Sequence, residues 1–191
     1  MSVLTAEQVA FYQENGYILL SGLIPDEISL KAKGVMEKWA ETAPRNPNAV
    51  SKEPLPRTPE DEEAVAACYT PEILQAAAEL VGDDVSTFPR PKKPFPLHSY
   101  PTQEEWVAWG AHIDHAIKAD GHRTFPLPFR VASMLFASDV ESHGGGTLVW
   151  AGSHKKILAL AQSDPDYYAL MSNLNNELDK ANIGEYVELT P

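Results

Sequence analysis

The chain has 191 residues, of which 43% are hydrophobic and 22% are charged, and this composition predicts one folded domain spanning 1–191. Asp and Glu number 27 against 15 Lys and Arg, so the net charge of −12 argues against a nucleic-acid partner. No apolar run approaches the roughly 20 residues that span a bilayer, and residues 1–7 lack the basic region of a signal peptide. The single cysteine, Cys68, excludes an internal disulfide, so we expect a protein of the reducing cytoplasm. Because no apolar run is long enough to span a bilayer, we expect no membrane partner.

Helical patterns dominate the first half of the chain. Thr5 and Gln8 have the spacing of a capping box, which predicts a helix over 5–15 that stops at Gly16. The apolar run 17–20 has the composition of a short strand. Further helices are predicted from Asp26 to before Pro44, from the acidic run 60–63, and over 70–81.

Strand patterns dominate the second half. The predicted strands occupy 85–88, 106–114, 130–137, 147–150 and 186–189. Helix and loop are predicted between the last two strands, over 156–182. With helices first and strands later, the order predicts an α+β fold with an antiparallel sheet rather than βαβ units.

The most specific chemical signal is the pair His112 and Asp114. Residues two apart on a strand project to one face, so an imidazole nitrogen and a carboxylate oxygen could converge on one metal ion. Two His and one carboxylate on one face form the facial triad of non-haem Fe(II) oxygenases. A His-x-Asp match alone is weak, and its alternative is a surface histidine hydrogen-bonded near a loop aspartate.

Three blocks of sequence together are more specific than that pair. They are 4–8 with 14–17 and 23–25, then 109–115, then 136–141 with 145–155, in which Ala151 stands where a Pro is usual. In this order and spacing they resemble the phytanoyl-CoA dioxygenase (PhyH-like) family of Fe(II)- and 2-oxoglutarate-dependent oxygenases, over nearly all of the chain.

The resemblance implies a fold, an activity and a set of site residues. The fold would be a double-stranded β-helix of the jelly-roll, cupin-like kind, with the N-terminal helices packed outside. His112 and Asp114 would bind Fe(II), and Leu135 and Thr147 would line the 2-oxoglutarate pocket, with core packing and a plain strand hydroxyl as their alternatives. O₂ and 2-oxoglutarate would be consumed, a C–H bond of a small organic molecule hydroxylated, and succinate and CO₂ released. Related enzymes with Ala in place of Asp halogenate instead, so Asp114 points to hydroxylation.

Two family residues have no counterpart here. Family members place a distal iron-binding His, and then an Arg for the far carboxylate of 2-oxoglutarate, in a segment near the C-terminus. Residues 185–191 resemble the first half of that segment, and no residue matches the His or the Arg. We therefore expect this sequence to lack the C-terminal part of the β-helix.

Two other functions stay open. One is a catalytically inactive or truncated β-helix protein that binds a ligand or a partner without turnover. The other is a different cupin-like enzyme, such as an isomerase, that uses its histidines with Zn²⁺ or Mn²⁺. His154 is predicted to hydrogen-bond a turn rather than to bind metal. The identity of the substrate and the oligomeric state do not follow from the sequence.

Overall fold

The computed structural model describes residues 2–42, 57–91, 97, 105–114, 123–124 and 131–191. Within those ranges the regular elements are helices α1 (Ala6–Asn15), α2 (Asp26–Thr42), α3 (Pro59–Ala66), α4 (Pro71–Val81), α5 (Ser153–Ser163) and α6 (Met171–Asn176), and strands β1 (Thr147–Val149) and β2 (Val187–Leu189). Three short 3-10 helices span Val85–Thr87, Tyr167–Ala169 and Leu178–Ala181. The elements thus run from helices to a mixed second half.

The predicted ends of α1 are confirmed. The Thr5 hydroxyl accepts a hydrogen bond from the backbone N–H of Gln8, and the Gln8 side chain accepts one from the N–H of Thr5. Two of the N–H groups that a helix start leaves without partners are satisfied in this way. At the other end Gly16 has a φ of 77° and donates its N–H to the carbonyl of Tyr12. The left-handed conformation at this position is the reason a glycine ends the helix.

The predicted start and end of α4 are also confirmed. Thr70 is the N-cap, Pro71 is the first helical residue, and Gly82 ends the helix in the left-handed region. The Thr70 side chain is buried and bonds in two directions, accepting from the N–H of Ile73 and donating to the carbonyl of Leu23 at 3.0 Å. One side chain therefore caps α4 and ties it to the chain before α2.

Three apolar clusters hold the helices together. The first joins α2 to α3, the second joins the N-terminal segment to α4, and the third lies between α5 and α6. Their buried members are Ala32, Trp39, Val65 and Cys68 in the first, Leu4, Ala76 and Leu80 in the second, and Ala161, Tyr168 and Leu174 in the third. Burial of this kind supplies most of the stability of short helices.

The strands β1 and β2 form an antiparallel pair, as predicted for 147–150 and 186–189. Thr147 lies opposite Leu189 and Val149 opposite Val187. The turn before β1 is tied to β2, because the Ser142 hydroxyl and the His143 N–H both donate to the carboxylate of Glu188. The glycine-rich turn and the two strands therefore form one unit.

The start of α5 docks on the end of α1. The N–H of Gly152 donates to the carbonyl of Asn15 at 2.8 Å, and Lys155 forms an ion pair with Glu14 at 2.5 Å. The block 14–17 and the block 145–155 are thus in contact, although they are far apart in sequence. This contact joins the helical first half to the second half.

Four strand predictions are wrong within the described residues. Segments 17–20, 106–114 and 131–137 belong to no sheet, and Arg130 lies outside the described residues. The segment predicted as a strand at 85–88 begins instead with a 3-10 helix, because the Asp84 carboxylate accepts the N–H of Ser86 and caps a turn. An apolar run becomes a strand only where a partner strand satisfies its backbone. The described residues contain helices together with one two-stranded antiparallel sheet. The double-stranded β-helix stays a prediction.

Candidate functional site

His112 and Asp114 converge in the structure. His112 Nε2 lies 3.5 Å from Asp114 Oδ1, and both side chains are more than half exposed. The backbone between them forms no strand, but the exposure alternates as in one, with Ile113 half-buried and its two neighbours exposed. Alternate residues of an extended backbone point to opposite sides. The packing of Ile113 therefore turns both chemical groups toward solvent on one side.

A backbone carbonyl orients the imidazole of His112. His112 Nδ1 lies 3.3 Å from the carbonyl oxygen of Gly110. With the ring proton on Nδ1, this nitrogen donates to Gly110, and Nε2 presents a lone pair on the side of Asp114. Metal-binding histidines usually hold their second ring nitrogen in this way, by donation to a carbonyl or a carboxylate.

The spacing of the two groups fits neighbouring ligands of a divalent cation. Ligand atoms about 2.1 Å from one ion lie roughly 3.0–3.5 Å from each other. Imidazole and carboxylate together suit Fe(II), Zn²⁺ and Mn²⁺. The pair can thus provide two ligands.

A third ligand does not come from the described part of the chain. Among the residues that the structure describes, no group of three or more His, Cys, Asp or Glu is placed to share a metal ion. His98, His115 and His122 lie outside the described residues. The two-ligand pair is therefore the part of the predicted iron site that the structure assembles.

The backbone between His112 and Asp114 is held by a side chain of α6 that no sequence motif predicted. The N–H of Ile113 donates to Asn175 Oδ1 of α6 at 2.7 Å. The Ile113 side chain packs against the cluster of Ala161, Tyr168 and Leu174. No sequence signal marks Asn175, which is the penultimate residue of the six-residue helix α6.

Helix α6 is itself braced by a carboxylate. Glu177 accepts hydrogen bonds from the phenol of Tyr168 at 2.6 Å and from Lys180 at 2.7 Å. The bond to Lys180 and the bond from Tyr168 lower the pKa of Glu177, and the bond to Glu177 raises the pKa of Tyr168. Because its oxygens are used in this way, Glu177 acts as a structural group at the end of α6, two residues beyond Asn175.

Leu135 and Thr147 lie in other parts of the fold. Leu135 is half-buried and packs against the cluster that joins α2 and α3, which favours its alternative as a core residue. Thr147 is half-buried at the start of β1. No hydrogen bond, ion pair or core cluster within the described residues connects either of them to His112 or Asp114. The structure brings together the predicted metal ligands and leaves the predicted pocket residues apart.

His154 serves the contact between α1 and α5. Its Nε2 lies 3.2 Å from the carbonyl of Gln13, and its ring lies directly over Gly16, where a β-carbon would collide with it. This agrees with the prediction of a hydrogen-bonding role, although the partner is the end of α1 rather than the turn of His154 itself. His143 stacks on Trp106, with ring centroids 4.1 Å apart.

Comparisons with known proteins add no identity. No protein-family model matches the chain, and neither a curated protein nor a solved structure matches it significantly. Over the described ranges, every helix is too short or too polar to cross a bilayer. The site geometry and the resemblance of the three sequence blocks are therefore the basis for a function.

Proposed function

We propose that this chain is an Fe(II)- and 2-oxoglutarate-dependent oxygenase that resembles the phytanoyl-CoA dioxygenase family. It hydroxylates a C–H bond of a small organic molecule in the cytoplasm. The fold that carries its active site is a double-stranded β-helix. The observation that carries the proposal is the convergence of His112 Nε2 and Asp114 Oδ1 at 3.5 Å on one exposed side of the chain. These two residues hold the iron.

The chain's own residues prepare the site for a cation. Asp114 supplies a carboxylate oxygen, and Gly110 holds the His112 ring so that Nε2 points to the same place. Fe(II), when bound, would supply the activation of O₂, and 2-oxoglutarate as co-substrate would be converted to succinate and CO₂. The exposure of both ligands leaves room opposite them for 2-oxoglutarate and substrate, as an open facial site requires.

The first experiment measures metal binding. Under anaerobic conditions we titrate the chain with Fe(II), with and without 2-oxoglutarate, and compare His112→Ala and Asp114→Ala with the wild type. We expect weak Fe(II) binding through the two ligands of the wild type, and a further loss of at least about tenfold in affinity in each variant. His154→Gln is the matched control, because it removes an imidazole of α5 and keeps a donor for Gln13. Stoichiometric iron retained by His112→Ala would overturn the assignment.

The second experiment measures turnover. Succinate released from 2-oxoglutarate under O₂ is the expected product of a protein that also carries the family's distal His and Arg, and Asp114→Ala in that protein ends hydroxylation. A hydroxylase that stays active with Ala at position 114 would show that this carboxylate is not the ligand. Iron binding without any succinate would favour the alternative, a β-helix protein that binds a ligand without turnover.

A further inference from the structure

We propose that Asn175 is a positioning residue that sets the distance between the two proposed metal ligands. Its side-chain oxygen accepts the N–H of Ile113, the residue between His112 and Asp114, at 2.7 Å. The inference rests on the proposed function, because it assigns Asn175 to the same site. It adds a residue of α6 that lies 62 positions away in sequence.

The backbone of this segment needs such an anchor. Residues 105–114 belong to no strand, so no ladder of hydrogen bonds determines their conformation. Across the described ranges, the bond from Ile113 to Asn175 is the hydrogen bond that joins this segment to a helix. Rotation of the peptide before Ile113 would break that bond and carry the His112 ring away from Asp114.

The anchor is rigid because its surroundings are packed. Leu174, next to Asn175, is 3% exposed and belongs to the cluster that also contacts Ile113. Tyr168, from the same cluster, is bonded to Glu177 just beyond α6. Asn175 therefore holds the backbone of Ile113 while its neighbours hold the side chain. A ligand pair supported at both backbone and side chain loses little freedom when it binds a cation.

Asn175→Leu and Asn175→Asp test the role of the oxygen. Leu has a similar size and no acceptor, whereas Asp keeps an acceptor at the same distance along the side chain. Asn176→Leu is the matched control, because Asn176 is the exposed next residue of α6. All variants are studied well below their melting temperatures, so that loss of folding does not imitate loss of positioning.

Two readouts separate this inference from the proposed function. In the metal-free chain, hydrogen exchange of the Ile113 amide is expected to be slow in the wild type, Asn175→Asp and Asn176→Leu, and fast in Asn175→Leu. In a titration with Mn²⁺, followed by NMR broadening of the His112 ring, we expect about tenfold weaker binding in Asn175→Leu. Asn175→Asp is expected to bind at least as tightly as the wild type.

The outcomes are distinguishable. Fast exchange of the Ile113 amide in the wild type would overturn the inference whatever the function is. If the wild type binds Mn²⁺ through His112, equal binding by Asn175→Leu would overturn the inference and leave the proposed function intact. If the wild type binds neither Mn²⁺ nor Fe(II), the proposed function fails, and the role of Asn175 toward a metal fails with it.

Discussion

The region of α1–α4 and the region around 105–114 use their carboxylates in opposite ways. Glu79 of α4 accepts the N–H groups of Val3 and Leu4, together with side-chain donors from Ser2 and Gln75. Asp114 lies beside one imidazole, on a side chain that is 66% exposed. A carboxylate surrounded by donors stabilises the fold and has no free lone pair for a metal. A carboxylate beside a single oriented imidazole keeps lone pairs that a metal can use.

The difference extends to how each region is built. The helices α1 and α4 are capped by their own residues and packed on apolar clusters. Segment 105–114 has no regular structure and depends on Asn175, Gly110 and the packing of Ile113. The packed helices lie in the first region and the proposed metal site in the second, a common division between scaffolds and the loops that they position.

The largest expected effect compares two tryptophans, one from each region. Trp39 is 1% exposed in the cluster that joins α2 and α3, and Trp109 is 81% exposed in the site segment. Trp39→Ala leaves a cavity and is expected to lower the free energy of unfolding by about 3–5 kcal/mol. Trp109→Ala is expected to change it by about 0.5 kcal/mol or less. Denaturant unfolding measures both, and similar losses in the two variants would contradict the division between the regions.

A smaller effect is expected at Glu79 and depends on pH. Burial raises the pKa of Glu79, but hydrogen bonds from Leu4, Gln75, Val3 and Ser2 outweigh it and lower the pKa to about 2. A lowered pKa in the folded state stabilises the fold above the ordinary value of 4.5, and this contribution is lost as the pH falls toward 2.

Glu79→Gln tests this anchor of the N-terminal segment. It is expected to cost about 2 kcal/mol at pH 7, because a charged acceptor of several hydrogen bonds becomes neutral. Thermal unfolding between pH 7 and pH 2 is the measurement. The gap between wild type and variant is expected to close below pH 4.5. A gap that stays constant to pH 2 would show that the charge of Glu79 is not what holds the segment.

The smallest expected effect concerns the contact between α1 and α5. Gly16 and Gly22 both have positive φ, at 77° and 75°, but only at Gly16 would a β-carbon meet His154. Ala at either position carries the strain of the left-handed conformation, about 1 kcal/mol. Gly16→Ala is expected to cost about 1 kcal/mol more, because the His154 ring must move. Equal melting temperatures for the two variants would show that the ring yields freely and does not lock α5 onto α1.

The sequence by itself determined the features whose partners are near each other in the chain. The caps of α1 and α4 join groups three residues apart, so their residues could be recognised directly. The pairing of His112 with Asp114 is similarly local, and it was predicted from a strand that the structure does not contain. The two side chains converge without a ladder of hydrogen bonds because the alternation of an extended backbone is enough.

Only the tertiary structure decided the features that join distant positions. Asn175 reaches Ile113 across 62 residues, and Glu79 reaches Leu4 across 75. Segments 17–20 and 131–137 have strand composition, but a strand needs a partner whose position no local pattern contains. Leu135 likewise packs on the cluster that joins α2 and α3, a contact between positions that are distant in sequence. Hydrogen bonds and contacts at long separation depend on the path of the whole chain, and for that reason the support of the site emerged from the structure alone.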